Sequence, residues 1–165
     1  MAAGKNIEAK TVAETRIRLG RQMGHLDANT MGNVHGGVIM KECDEAGAMA
    51  AIRFAGKQVV TVTVDQMLFN APIRLGELVY FEAEVTWAGR TSIETLVTVK
   101  AENLLTCEVR ETNRAYFVYV AVDEQGKPSE VPELICETEN EQRRFDHAIE
   151  RRAFRLAMRE REEEF

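Results

Sequence analysis

Asp44 is the acidic residue whose expected surroundings most favour chemistry. It lies within residues 33–54, where apolar side chains recur every three or four positions, as in an amphipathic helix. Its neighbours on that helix are mostly small and apolar, so water would solvate its carboxylate poorly. Poor solvation makes a carboxylate more basic, and such a group can act as a general base or as a nucleophile. The spacing also allows a simple surface ion pair with Lys41, three residues earlier.

The first turn of the same helix carries residues that could assist a reacting carboxylate. Gly36 and Gly37 let the backbone come close to a ligand, and unpaired N–H groups at a helix N-terminus attract negative charge. They suit an oxyanion hole, although close packing alone would also explain a glycine pair. Asn33 suits a turn or the helix N-cap. His35 could be a base, but we prefer a capping or positioning role.

A sheet is expected to bury the apolar stripe of this helix. The stripe consists of Ile39, Cys43, Ala46, Gly47, Ala50 and Phe54. Alternating residues predict a strand at 60–65, and they place on one of its faces Val60, Val62 and Val64. Further strands are predicted at 11–23, 79–87, 93–102 and 106–122, with a tight hairpin at 88–91 and the last strand inside the sheet. This order predicts an α+β fold, a curled antiparallel sheet wrapped around a central helix.

The last part of the chain is expected to form a second, highly charged helix. Thr138 and Glu141 match the capping box that begins many helices. The helix has only a narrow stripe of candidate docking residues, namely Phe145, Ile149, Arg152 and Leu156. This pattern favours a solvated helix docked along one edge over a functional arm. We therefore divide the chain into a domain of residues 1–136 and a helical extension of residues 137–165.

The overall composition excludes some classes of function. With 165 residues, of which 45% are hydrophobic, the chain suits one domain with a full core. Its net charge of −6 argues against nucleic-acid binding, which needs a basic surface. No run suits a membrane span or a secretory signal, so we expect a cytoplasmic protein that does not bind membranes. The three cysteines lack the spacing of a zinc site or a disulfide framework, so we expect free thiols and no metal.

Several of these segments together resemble the hotdog-fold acyl-CoA thioesterases, specifically the broad-range bacterial acyl-CoA hydrolases and their brain-type relatives. The similar segments are residues 27–29, 32–37, 39–41, 44–47, 61–65, 69–77 and 89–92. The resemblance as a whole covers about residues 11–135 in order. The resemblance implies a hotdog fold and hydrolysis of acyl-CoA thioesters, with coenzyme A present only as part of substrate and product and no other cofactor. It also implies a dimer whose sheets join, commonly in a trimer of dimers.

The resemblance also implies roles for individual residues. Asp44 falls on the catalytic acid of the family, and Asn33 falls on a polar residue that lies across the dimer interface from that acid. Gly36, Gly37 and His35 complete the expected catalytic set. The residues expected to contact the substrate or its coenzyme are Gly89, Arg90, Thr91, Ser92, Thr61, Phe69 and Pro72.

The hairpin segment is the expected contact for the coenzyme phosphates. The guanidinium of Arg90 can bind a phosphate in bidentate fashion, and Thr91 and Ser92 can add hydrogen bonds. Taken alone, the Gly-Arg-Thr sequence is just a turn. Cys43 adjoins the catalytic candidate in sequence, but it belongs to the core stripe and is not expected to be a nucleophile.

Two other functions are kept as alternatives. One is an acyl-CoA-binding sensor without activity, but a DNA-reading module would need far more than the ten or so residues before the first strand. The other is a hotdog dehydratase, which pairs a histidine with an acid and for which His35 is the candidate. The thioesterase accounts for more residues than either of these.

Overall fold

The computed structural model describes residues 7–163 of the chain. Its helices are α1 (Val12–Thr15), α2 (Gly36–Ala55) and α3 (Glu139–Glu163), and a 3₁₀ turn covers His25–Asp27. Its strands are β1 (Lys10–Thr11), β2 (Ile17–Gln22), β3 (Gln58–Val64), β4 (Leu68–Phe69), β5 (Leu78–Ala88), β6 (Ser92–Asn103), β7 (Glu108–Val122) and β8 (Leu134–Ile135). The first residues of the predicted domain, 1–6, and the last residues of the predicted helical extension, 164–165, lie outside the described residues. Among the described helices, none is both long and apolar enough to cross a membrane.

The main sheet curls around α2, as the sequence predicts. Its strand order is β2-β5-β6-β7-β3 with antiparallel neighbours, and β4 also pairs with β7. β1 and β8 form a separate parallel pair. The predicted stripe of α2 is buried between Ile39 and Phe54 and packs against the inner face of the sheet. The α+β prediction is confirmed, and β7 lies inside the sheet as expected.

The central helix begins three residues later than the segment 33–54 suggests. His35 is its N-cap, and the Nδ1 atom of this residue accepts a hydrogen bond of 2.9 Å from the Gly37 N–H. The capping role of His35 is therefore confirmed, and an N-cap at Asn33 is wrong. At the other end, Gly56 has φ 64°, the left-handed conformation that suits glycine, and its N–H bonds to the Ile52 carbonyl.

The first predicted strand, residues 11–23, is partly wrong. Its opening residues form the single helical turn α1, and only Ile17–Gln22 pair with β5. The cause is a capping box, in which the Thr11 Oγ1 accepts from the Glu14 N–H while the Glu14 carboxylate accepts from the Thr11 N–H. These local bonds satisfy backbone groups that a strand would have to pair elsewhere.

β3 contains a bulge that reverses part of the predicted alternation. Thr61 and Thr63 lie opposite Tyr119 and Val118 of β7, so Val62 is the extra residue. Cross-strand partners share a face, which places Thr61 toward α2 and Thr63 toward the outside. The single valine face predicted for this strand is therefore wrong. The exposed hydrophobic side chains on β3 are Val60, Val62 and Val64, each at least 40% accessible.

α3 docks on the outer face of the sheet through charges. The predicted capping box is confirmed, since the Thr138 Oγ1 accepts from the Glu141 N–H. Beyond it, Arg151 and Arg155 pair with the fully buried Glu94 of β6. The expected docking stripe is wrong at two of its three apolar positions, whereas Phe145 is half-buried. Two of its members are largely exposed, namely Ile149 and Leu156.

Candidate active site

Asp44 lies half-buried on α2 and is held by two hydroxyl groups. Thr61 Oγ1 donates to Asp44 Oδ1 at 2.9 Å, and Tyr119 Oη donates to the same oxygen at 3.2 Å. The same Tyr119 hydroxyl also donates to the Asp44 carbonyl oxygen at 2.9 Å, so its single proton is shared between that oxygen and Oδ1. The alternative ion pair is not formed, because Lys41 instead pairs with Glu45 at 2.8 Å. The carboxylate is thus oriented by the sheet rather than by a neighbouring charge.

Tyr119 is a buried donor beneath the carboxylate. Burial is the main cause that raises its pKa above the ordinary tyrosine value, and the nearby Asp44 charge adds to the rise. The phenol therefore stays protonated at neutral pH and keeps donating. Gly47 makes this contact possible, since a Cβ there would lie 2.6 Å from Tyr119 Oη and 2.8 Å from Thr95 Oγ1. Sequence reasoning missed Tyr119, because only the pairing of β3 with β7 brings it to the helix.

The two glycines at the start of α2 differ in what their N–H groups do. The Gly37 N–H is used by His35. The Gly36 N–H belongs to the first turn, where helix geometry provides no partner. A Cβ at Gly36 would meet the Phe69 ring at 3.3 Å, so this glycine allows the aromatic ring to approach the helix. Because its Nδ1 accepts from a backbone amide, His35 is a cap rather than a base at that nitrogen.

A cavity of about 210 Å³ opens beside the first turn of α2. Four predicted site residues line it, namely Asn33, Gly36, Phe69 and Pro72. Most of the remaining lining is apolar, but two further asparagines, Asn29 and Asn113, also face it. Asp44 and Thr61 are not among the lining residues. Within one chain the predicted residues therefore form two neighbouring groups on α2 rather than a single cluster.

The loop before α2 is held rigidly by Asn29. The side-chain Oδ1 of Asn29 accepts from the backbone N–H groups of Met31 and Asn33. The backbone N–H of Asn29 donates to the Asn33 carbonyl at 2.7 Å. The residue lines the cavity and was not singled out from the sequence. One signal in the sequence could have identified it. Asn29 belongs to residues 27–29, the first of the segments that carry the family resemblance.

The predicted coenzyme contacts lie at the far end of the sheet from this cavity. Residues Gly89 and Ser92 close the hairpin through a backbone bond of 2.8 Å, and the Thr91 carbonyl accepts from Ala121 near the end of β7. Asn113, in the cavity, lies eight residues earlier on that strand, which is about 26 Å in extended backbone. The side chain of Arg90 is exposed and makes no hydrogen bond or ion pair with any described residue.

Cys43 is not placed to react. It is fully buried, and burial together with the nearby carboxylates raises the pKa of its thiol to about 12. The thiolate that a nucleophile requires is therefore scarce at neutral pH.

Comparison with known proteins identifies the family. The family model described as the thioesterase superfamily matches residues 31–108. The protein VdlD of Helicobacter pylori is 34% identical over 145 residues, which are 88% of this chain and 83% of that protein. The acyl-CoA thioester hydrolase YciA of Salmonella typhimurium is 35% identical over 109 residues, which are 64% of this chain and 82% of that protein.

Solved structures are similar along nearly the whole chain. An acyl-CoA hydrolase from Staphylococcus aureus, solved with butyryl coenzyme A and coenzyme A, has a TM-score of 0.88 at 31% identity, covering 94% of this chain and 95% of that one. A hexameric acyl-CoA thioesterase has a TM-score of 0.89 at 35% identity, covering 92% and 97%. The Staphylococcus protein has also been solved with an aspartate, an asparagine or a threonine replaced by alanine.

A curled antiparallel sheet around one helix is the hotdog architecture, and acyl-CoA hydrolases of solved structure share it over most of the chain. The chain belongs to the thioesterase superfamily. The predicted family and the predicted hotdog fold are both confirmed.

Proposed function

We propose that the chain hydrolyses acyl-CoA thioesters to the free acid and coenzyme A. The observation that carries this proposal is the Asp44 carboxylate, held on α2 by Thr61 and Tyr119 in a fold shared with acyl-CoA hydrolases. Relatives named acyl-CoA thioester hydrolases support the same reaction. Acyl-CoA is therefore the proposed substrate class.

The two oxygens of Asp44 have different tasks in this proposal. Both hydroxyl donors bond Oδ1, whereas Oδ2 has no hydrogen-bond partner among residues 7–163 and is left for chemistry. Oδ2 either takes a proton from the attacking water or attacks the thioester carbon itself. The negative charge that develops on the carbonyl oxygen is stabilised by the Gly36 N–H of a second copy of the chain, because Gly36 and Asp44 of one α2 helix are eight residues, or about 12 Å, apart. Thr61 is thus assigned to the carboxylate rather than to the substrate.

The site is proposed to be completed by a second copy of the chain. β3 ends the main sheet, and its exposed valines and unpaired backbone edge would be a hazard in a lone chain. Pairing two β3 edges about a two-fold axis would join the sheets. It would also bring the hairpin of one copy toward the start of α2 in the other. Hexameric relatives support assembly as an oligomer, and we propose three such dimers in each hexamer.

Two asparagines, Asn29 and Asn33, are candidates for the catalytic polar residue that faces Asp44 across the proposed dimer interface. The replaced asparagine, aspartate and threonine of the Staphylococcus protein are separated by 15 and 17 positions. Asn29, Asp44 and Thr61 have the same separations, whereas Asn33 is closer to Asp44. We therefore assign the catalytic role to Asn29, and we assign to Asn33 the shaping of the cavity beside it. Activity measurements on alanine variants at each position separate these two roles.

The coenzyme phosphates are assigned to Arg90, with Thr91 and Ser92 assisting. The exposed and unpaired guanidinium supports this proposal, because it can bind an anion without breaking an existing ion pair. The cytoplasm is the proposed compartment, and the three free cysteine thiols are usual in reducing surroundings. Fractionation of the cells that make the protein tests that location.

Replacing Asp44 by asparagine tests the proposed function. The Asp44→Asn variant keeps the shape of the side chain but removes the base or nucleophile, so kcat for acyl-CoA hydrolysis should fall by about 10²-fold or more. Glu45→Gln is the matched control, since it neutralises the adjacent exposed carboxylate of the same helix and should retain activity. A folded Asp44→Asn protein with nearly unchanged kcat would exclude Asp44 as the catalytic group.

A further inference from the structure

Asn113 carries a buried polar atom that has no partner. The residue is 1% exposed and lies on the inner face of β7, opposite Phe69 of β4. Its Nδ2 donates to the Leu68 carbonyl at 3.2 Å. Its Oδ1 has no hydrogen-bond partner within the part of the chain that the structure describes. Buried acceptors of this kind are uncommon in folded proteins, and leaving one unpaired costs about 1–3 kcal/mol.

The orientation of this amide is fixed by its surroundings. The Leu68 carbonyl is an acceptor, so the amide group that faces it must be the NH₂. Rotating the amide by half a turn would place two acceptors against each other and is therefore disfavoured. Oδ1 is consequently the atom without a partner. It is covered in the free chain, and it belongs to a residue that lines the cavity beside α2.

The cavity is too large to be explained by one structural water. Its volume of about 210 Å³ is several times the roughly 30 Å³ that one water occupies in the liquid. Its walls are mainly apolar and include Ile39, Phe69, Pro72 and Ile73. Such a space suits a slender chain of methylene groups that carries an occasional N–H donor. The Gly36 N–H proposed to meet the thioester oxygen belongs to the same cavity wall.

We propose that Asn113 is a specificity-determining residue, whose Oδ1 accepts a hydrogen bond from the amide N–H on the thiol side of the substrate. This inference rests on the proposed thioesterase function. In an acyl-CoA thioester, two methylene groups separate the sulfur from the first amide N–H, whereas a simple fatty acyl chain offers no donor. The unpaired acceptor therefore assigns this cavity to the thiol arm. The enzyme recognises that arm by its amide as well as by the distant phosphates.

Two small thioesters test this role directly. Both carry the same acyl group. One has N-acetylcysteamine as its thiol and so retains the amide N–H, and the other has O-acetyl-2-mercaptoethanol, which replaces that N–H by an ester oxygen. The wild-type enzyme should have a kcat/KM about tenfold higher for the amide substrate. Asn113→Leu should remove this preference, because leucine fills the space without an acceptor. Asn113→Gln should retain the preference, because it keeps an amide NH₂ for the Leu68 carbonyl as well as an acceptor oxygen.

Ile73→Val is the matched control for a change in cavity shape. It trims a buried apolar lining residue and should lower the rates for both substrates by the same factor. Equal losses for the two substrates in Asn113→Leu would overturn the proposal, as would a preference that survives the substitution. If Asn113→Leu does not fold, loss of the preference in Asn113→Gln overturns the proposal instead. Hydrolysis of acyl-CoA by the wild type is measured first, so that failure of the proposed function is recognised separately.

Discussion

The Thr61 hydroxyl makes the shorter of the two side-chain hydrogen bonds to Asp44. Its residue is exposed on β3, so removing the hydroxyl should leave the fold intact. Thr61→Val keeps the branched shape and deletes the donor. We expect kcat to fall about tenfold, the scale of about 1.4 kcal/mol of lost orientation, with little change in KM.

Thr63→Val is the control for this variant, because the β3 bulge turns Thr63 to the outer face. Steady-state kinetics on both variants, with thermal unfolding to verify their stability, separates the two positions. Equal kcat values in the two variants would mean that Thr61 does not orient the carboxylate.

At this scale the sequence identifies residues only where the signal is local. Asp44 stands out because small apolar residues surround it within one helix, and His35 because it directly precedes a glycine pair. Tyr119 and Asn113 have no such signal. Both look like ordinary positions of an alternating strand, and their importance comes from partners more than 40 residues away in the sequence.

The helices and strands match the sequence prediction wherever one hydrophobic periodicity continues without a competing local signal. α2 and the long strands β5, β6 and β7 are predicted because their periodicities continue over two or more turns or many alternations. The bulge on β3 is not predicted, since it depends on register against β7 rather than on residue type. α1 is missed for a different reason, namely that a capping box formed by four residues competes with a weak strand pattern.

The docking of α3 leads to a prediction about Glu94. This carboxylate is fully buried and accepts from Thr86, Arg151 and Arg155. Glu94→Gln keeps the size of the side chain but removes the charge, which leaves two arginines together without their shared anion. We expect a loss of about 1–3 kcal/mol in the free energy of unfolding, and faster hydrogen exchange in α3 than in α2.

Glu150→Gln, on the exposed side of the same helix, is the control for that substitution. Its α3 amides should exchange as in the wild type. If Glu94→Gln also leaves exchange in α3 unchanged, the Glu94 charge does not hold the helix, and its docking rests on packing around Ala148 and on the ion pairs of Arg144 with Glu84 and of Arg155 with Asp65.

The whole molecule is expected to be active only as an assembly, and Val62 tests this expectation. The side chain is 57% exposed at the bulge of the edge strand. Val62→Asp places a charge where two β3 edges would pair, so light scattering should show a smaller mass and kcat should fall with it. Val109→Asp is the matched control, because Val109 is 53% exposed but lies near the turn between β6 and β7. An unchanged mass in Val62→Asp would exclude β3 as the interface.

Because Gly47 lies close to the Tyr119 hydroxyl, a substitution there that is meant to raise stability would disturb the catalytic carboxylate. Glycine inside a helix costs about 1 kcal/mol relative to alanine, so a thermostability design would choose Gly47→Ala early. In this chain the added methyl group would displace either the helix or the Tyr119 hydroxyl, and that hydroxyl orients Asp44 one turn earlier. A screen that selects only for melting temperature does not measure activity. It would therefore not detect the effect of this substitution on the carboxylate. Position 47 belongs among the residues that such a screen leaves fixed.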